Sequence, residues 1–172
     1  MSASQRVLIH ATSVVLGGAA TPFGGALDLA VLLLGPSGKS DVALRLIAAG
    51  AKLVADDQTA LFVQDGRLFA DAPPSLYGQI EIRGVGIVKL EAVGPALVGL
   101  AVYLEPSRKI DRMPEPASYR LPPPLHAVVA PPLVSLRPFE ISTAAKITAA
   151  TAAFARGAFV AGAASPASGS FL

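Results

Sequence analysis

The sequence contains no cysteine and only two histidines. Disulfides, thiolate metal sites and thiol nucleophiles are therefore excluded, and two imidazoles cannot by themselves complete a zinc site. An excess of charge is missing too. Lys and Arg number 14 against 12 Asp and Glu, so despite a pI near 9.2 nothing indicates a nucleic-acid partner. Long apolar runs are also lacking: residues 7–27 and 92–104 are broken by Gly, Pro and His or are too short to cross a bilayer, which takes about 20 mostly apolar residues. No membrane partner is expected. Residues 1–6 lack the ordered basic and apolar regions of a secretory signal, which leaves the cytoplasm as the expected location. What the chain does have is 172 residues of which 52% are hydrophobic and 15% charged, enough for one buried core and too few for two full domains. Its chemistry must run on Ser, Thr, Asp, Glu, His, Lys or Arg.

Residues 7–9 and 14–16 read as short strands around His10, and a Gly-rich stretch at 17–25 separates them from a continuous apolar run at 29–34. A run without polar alternation predicts a strand buried on both faces, as in a sheet covered by helices. Gly35-Pro36-Ser37-Gly38-Lys39-Ser40-Asp41 follows, and residues 42–49 read as a helix ended by Gly50. The next strand, 52–55, ends on Asp56-Asp57. Residues 60–63 and 67–70 flank Gln64-Asp65-Gly66, a hairpin signal. Ile80-Glu81-Ile82-Arg83 alternates, which sends Glu81 and Arg83 to one face of a strand and the isoleucines to the core. Residues 97–104 form a further apolar strand. Seven prolines between 114 and 132 exclude helix and central strand there, predicting an irregular connector. An Ala-rich segment at 142–156, with Ser142 as N-cap and Gly157 as stop, predicts a C-terminal helix. Residues 1–160 are read as one α/β domain and 161–172 as a flexible tail, with no internal repeat.

A strand running into Gly-Pro-Ser-Gly-Lys-Ser and then a helix gathers backbone N–H groups, a helix N-terminus, a lysine and a hydroxyl around one point. Nucleotide phosphates and magnesium need that set, so Gly35, Pro36, Ser37, Gly38, Lys39 and Ser40 are the candidate phosphate contacts. The usual loop has a glycine five residues before the Gly of Gly-Lys-Ser; here that position is Leu33, so the loop is two residues short. Asp56 and Asp57 stand at the carboxyl end of a strand, where an α/β sheet gathers its ligands, and one could act as base beside a metal. Glu81 and Arg83 could hold a metal and steady phosphate charge, or form a surface pair. His10, among apolar residues, reads by itself as a hydrogen-bonded structural histidine more readily than as a catalyst.

Taken together, Ile9-His10-Ala11-Thr12, the Gly-Pro-Ser-Gly-Lys-Ser-Asp loop, Leu53-Val54-Ala55-Asp56-Asp57 and Ile80-Glu81-Ile82-Arg83-Gly84-Val85-Gly86-Ile87-Val88 resemble the catalytic domain of bacterial HPr kinase/phosphorylase. The resemblance covers most of residues 6–157, and the chain is similar to short forms lacking the family's N-terminal domain. It implies a P-loop kinase fold of the phosphoenolpyruvate carboxykinase-like type, a mixed sheet with flanking helices, assembled as a homo-oligomer, typically a hexamer. It also implies ATP- and Mg²⁺-dependent phosphorylation of a serine on HPr, a phosphocarrier of the sugar phosphotransferase system. The reverse reaction of that family consumes inorganic phosphate and releases pyrophosphate.

By the same resemblance, Lys39 would bind nucleotide phosphates, Ser40 and Glu81 would ligate Mg²⁺, and Asp57 would be the base, supported by Asp56. His10 would contact phosphate, Arg120 would be a catalytic arginine, and Arg137 with Pro138 would belong to a loop used in dephosphorylation. The family's loop reads Gly-x-Ser-Gly-x-Gly-Lys-Ser, so this chain lacks a dipeptide and two N–H donors. Losing a charge-assisted hydrogen bond costs about 1.5–3 kcal/mol, which would weaken nucleotide binding by orders of magnitude. Three readings compete: a protein-serine kinase, a P-loop kinase for a small molecule, and a nucleotide- or phosphate-sensing module whose shortened loop has abolished catalysis.

Overall fold

Among the residues described below, short apolar strands punctuated by glycine turns build one curled mixed sheet, a separate hairpin and two helices. The computed structural model describes residues 5–17, 28–125 and 128–164. Most of the Gly-rich stretch at 17–25, His126, and residues 165–172 of the expected tail lie outside the described residues.

In chain order the elements are β1 (Val7–His10), β2 (Thr12–Leu16), β3 (Leu29–Leu34), α1 (Lys39–Ala48), β4 (Lys52–Ala55), β5 (Gln58–Gln64) and β6 (Arg67–Asp71). A single 3₁₀ turn at Pro74–Leu76 leads to β7 (Gln79–Ile82), β8 (Gly86–Lys89), β9 (Ala96–Leu104), β10 (Leu133–Leu136) and α2 (Thr143–Arg156). The main sheet runs β1-β5-β6-β9-β3-β2-β4, with β10 also on β9, while β7 and β8 pair only with each other. β9 is parallel to β3 and to β10, and the other pairs are antiparallel.

This topology puts three chain segments at one end of the sheet. β2 is antiparallel to both β3 and β4, with Thr12 opposite Leu33 and Ser13 opposite Ala55. The start of β2 therefore lies at the carboxyl ends of β3 and β4, where the glycine loop and Asp56-Asp57 leave the sheet.

β3 is buried on both faces, as its unbroken apolar run predicts. Val31 and Leu33 enter one core with Val42, Leu46, Leu100, Leu104 and Ile147, whereas Ala30 and Leu32 enter another with Val54, Leu61 and Leu121. Helices do not cover both faces. α1 and α2 both lie on the first. The second is closed by the sheet itself, which curls so that β5 and β6 approach β2 and β4, and by Tyr119, Leu121 and Leu125 of the proline-rich segment. Leu32, Leu33 and Leu100 are fully buried, so trimming any one to alanine costs about 2–5 kcal/mol.

The proline segment is irregular but anchored: Ser118 bridges Pro132, and the Leu133 N–H donates to the Ala117 carbonyl. Directly after it, β10 is a strand that its four residues next to two prolines did not announce. The strand β8 likewise follows the glycines after β7. α1 begins at Lys39, three residues earlier than the apolar pattern predicts, and Gly157 caps α2 at φ 62°. Ser142 stands at the N-cap of α2 without a side-chain capping bond.

Candidate active site

The glycine loop owes its shape to two contacts that exclude a side chain. Gly35 has φ 115°, and a Cβ there would fall 2.4 Å from the Leu104 carbonyl oxygen on β9. Gly38, the N-cap of α1, has φ 85°, and its Cβ would fall 2.4 Å from Pro138 Cβ. Both positions are thus restricted to glycine. Lys39 opens the helix and is 8% exposed, its Nζ donating to the Gly35 carbonyl at 2.9 Å. Pro36 and Ser37 are exposed at the loop's crest, and Ser40 is partly buried.

Asp56 is the hub of the site. It is 8% exposed, and its Oδ1 accepts the Thr12 hydroxyl at 2.9 Å and the Ser40 hydroxyl at 2.8 Å. Its Oδ2 accepts the Glu81 backbone N–H at 2.9 Å. One buried carboxylate therefore joins β2, α1 and β7. Asp57 points the other way: its side chain is 63% exposed, with Oδ1 3.3 Å from His10 Nδ1. Adjacent acids thus divide into a satisfied structural one and an open one.

The remaining expected site residues are distributed around this centre. Glu81 is bound through its main chain to Asp56 while the residue itself is exposed. Arg83 does not share a strand face with it; β7 ends at Ile82, and Arg83 is exposed in the turn closed by the Val85 N–H on the Ile82 carbonyl. Gly84 and Gly86, at φ 84° and 130°, allow the tight turn between β7 and β8 that takes Arg83 out of the strand. Arg120 is exposed in the proline-rich segment, and among the described residues it makes no hydrogen bond or ion pair with the centre. Arg137 lies 3.9 Å from Glu140 in the loop after β10. That loop does reach the centre, since its Pro138 is buried against Gly38.

Three contributors were not singled out by sequence reasoning. Thr12 sits inside the Ile9-His10-Ala11-Thr12 motif, but only the fold shows it touching both acids. Arg45, on α1, donates Nη1 to the Glu140 carbonyl at 2.8 Å and Nη2 to the Pro138 carbonyl, and pairs with Asp41. Phe139 approaches Gly38 beside Pro138. A hydrogen bond from Lys146 holds the exposed Glu140 carboxyl below its usual range, aided by the Lys146 and Arg137 charges. Burial raises the Tyr119 hydroxyl.

Chemically, the centre is a helix N-terminus with a lysine and a hydroxyl, the hydroxyl bonded to the buried Asp56, whose chain neighbour Asp57 is an exposed carboxylate; a helix N-terminus with a lysine suits anions, and an open carboxylate can accept a proton. The structure is a mixed α/β domain with a glycine loop and an acidic pair at the carboxyl ends of β3 and β4.

Comparisons with known proteins find similarity to one family. Residues 25–98 match the family described as HPr Serine kinase C-terminal domain. The chain is 38% identical over 101 residues to HPr kinase/phosphorylase of Clostridium novyi, covering 49% of this chain and 32% of that protein. Against HPr kinase/phosphorylase of Enterococcus faecalis it is 41% identical over 98 residues, with the same coverage, 49% and 32%. The solved structure of the Hpr(Ser) kinase/phosphatase from Coxiella burnetii superposes with a TM-score of 0.65 at 23% identity, covering 84% of this chain and 87% of that one. The chain is thus similar, over about half of its length, to the C-terminal domain of HPr kinase/phosphorylase, and spans about a third of the length of these curated relatives.

Proposed function

We propose that this domain is an ATP-dependent protein-serine kinase acting on an HPr-type phosphocarrier, with phosphorolysis of the seryl phosphate as its reverse activity. The observation that carries the reading is the 2.8 Å bond from Ser40 to Asp56, which ties the glycine loop to the strand tip bearing the open Asp57. A P-loop fold of the phosphoenolpyruvate carboxykinase-like type, a hexameric assembly and a cytoplasmic location belong to the same proposal.

In the forward direction the substrate seryl oxygen attacks the γ-phosphorus of ATP, its proton passes to Asp57, and ADP leaves. In reverse, Asp57 returns the proton to the seryl oxygen as phosphate takes the phosphoryl group and pyrophosphate departs. Lys39 and the α1 N-terminus would hold phosphate oxygens, with Gly35, Pro36, Ser37 and Gly38 forming the loop around them. His10, next to Asp57, would contact the transferring group, and Arg120 and Arg137 would assist from the two segments flanking β10.

The residues fit Mg²⁺. Ser40 through its hydroxyl and Glu81 through its backbone N–H are both bonded to Asp56, and the side chains of both carry hard oxygen donors. Among the described residues no group of three or more acids or histidines could hold a metal alone, so waters and substrate phosphates would have to complete its shell. When bound, it would neutralise phosphate charge.

An open site favours a protein acceptor over a small molecule. The His10 and Asp57 side chains are 66% and 63% exposed, whereas an apolar cavity of about 300 Å³ lies by Leu29 and Leu97, at the opposite end of β3. One observation favours the sensing module as a second reading: Pro138 occupies the space beside Gly38 in a loop already two residues short.

Incubation with labelled ATP, Mg²⁺ and purified HPr, alongside Asp57→Asn, tests the proposal. Transfer to HPr that is lost in the variant supports it, and ATP binding without transfer supports the second reading. Asp57→Asn should fold normally, because the side chain is exposed and Asn tolerates the backbone φ of 64°. An unaffected rate would remove Asp57 as base.

A further inference from the structure

We infer that Thr12 is a positioning residue that aims the base, an inference that rests on the function proposed above. Asp57 sits at φ 64°, where L-residues other than Asn and Asp are rare. The Gln58 N–H closes on the Asp56 carbonyl across it at 2.7 Å, making a three-residue turn of the strained, positive-φ kind. Such a turn persists only where its surroundings hold it. Thr12 Oγ1 does so from both sides: it accepts the Asp57 N–H at 3.2 Å and donates its own hydroxyl hydrogen to Asp56 Oδ1 at 2.9 Å.

The hydroxyl is used without conflict, with one hydrogen given and one lone pair taken. Thr12 is 0% exposed at the first position of β2, and its branched Cβ restricts rotation, so the hydroxyl is pre-aimed. Asp56 Oδ1 receives Ser40 as well. Thr12 thus sets the backbone of the open acid relative to the glycine loop without itself reaching substrate. Valine would keep the shape of the side chain and remove both bonds, whereas serine would keep the hydroxyl.

The test compares wild type, Thr12→Val and Thr12→Ser in the whole chain. Thr12→Val should lower kcat for transfer to HPr by about 10- to 100-fold while KM for ATP changes less than about threefold, because geometry and not nucleotide binding is lost. Thr12→Ser should stay within about threefold of wild type. In parallel, the Asp57 amide should exchange with solvent at least about tenfold faster in Thr12→Val than in wild type or Thr12→Ser. Thr12→Ala carries the same expectation should valine not fold. Equal rates and equal exchange in Thr12→Val, or an equal fall in kcat for the serine and valine variants, would overturn the inference. A wild-type protein that transfers no phosphate would defeat the proposed function, while the exchange measurement, which needs no turnover, would still decide whether Thr12 holds the turn.

Discussion

Replacing Gly38 by alanine tests whether the loop after β10 is seated on the glycine loop. The new Cβ would meet two penalties. Alanine at φ 85° suffers the left-handed backbone cost, about 1–2 kcal/mol. It would also stand 2.4 Å from Pro138 Cβ and 3.2 Å from its Cγ, closer than carbon atoms pack, so Pro138 must withdraw. Overpacking of this kind adds about 1–3 kcal/mol. Gly84 separates the two effects: its φ is 84°, and nothing lies within 4 Å of the equivalent Cβ. Gly84→Ala should therefore incur only the backbone cost. For a chain of this size 1 kcal/mol moves Tm by about 2–4 °C, so Gly38→Ala should melt about 2–12 °C below Gly84→Ala. Thermal denaturation of the two variants reads the difference directly, and hydrogen exchange should show residues 138–141 loosened in the first alone. Equal melting temperatures would refute the seating of Pro138 on this glycine.

Asp56→Ala strands the buried Thr12 hydroxyl together with the Ser40 hydroxyl and Glu81 N–H, so urea denaturation should report a loss of about 2–5 kcal/mol. Arg45→Met removes the guanidinium bonds to the Pro138 and Glu140 carbonyls; a loss of about 1–3 kcal/mol is expected, with faster exchange confined to the loop after β10. Glu140 is held below its usual pKa, chiefly by the Lys146 hydrogen bond, so the folded state favours the ionised form. Its contribution is complete above the ordinary carboxylate range and fades as pH falls through the lowered folded value. Lys146→Ala should return the Glu140 titration toward normal in a carboxyl-carbon NMR titration, and an unmoved curve would deny the Lys146 contact.

Much of the fold was legible because its signals are local. The unbroken run of β3, the Asp65-Gly66 turn between β5 and β6, and Gly50 and Gly157 beyond the two helices each follow from a few adjacent residues. What was not legible depends on distant partners. The run in β3 establishes burial on both faces but cannot say that the second cover is the curled sheet rather than a helix. β10 is a strand because β9 offers a free edge beside Ala101–Leu104, a fact that no four residues next to Pro131-Pro132 contain. The same holds at the site. Lys39, Ser40 and the two acids stand out by type and spacing, but that Asp56 is enclosed and Asp57 open follows from a turn whose geometry is fixed by Thr12, 44 residues from Asp56. Arg45 reads as an ordinary helix-surface arginine until the loop it clasps has arrived.

The Asp56 carboxylate closes contacts across sequence separations of 44, 16 and 25 residues, to Thr12, Ser40 and Glu81. Each such closure costs chain entropy that only the contacts it makes can offset. The lysine and the hydroxyl are neighbours in any state of the chain, but their junction with the acid, with Thr12 and with Glu81 exists only where the tertiary fold is intact.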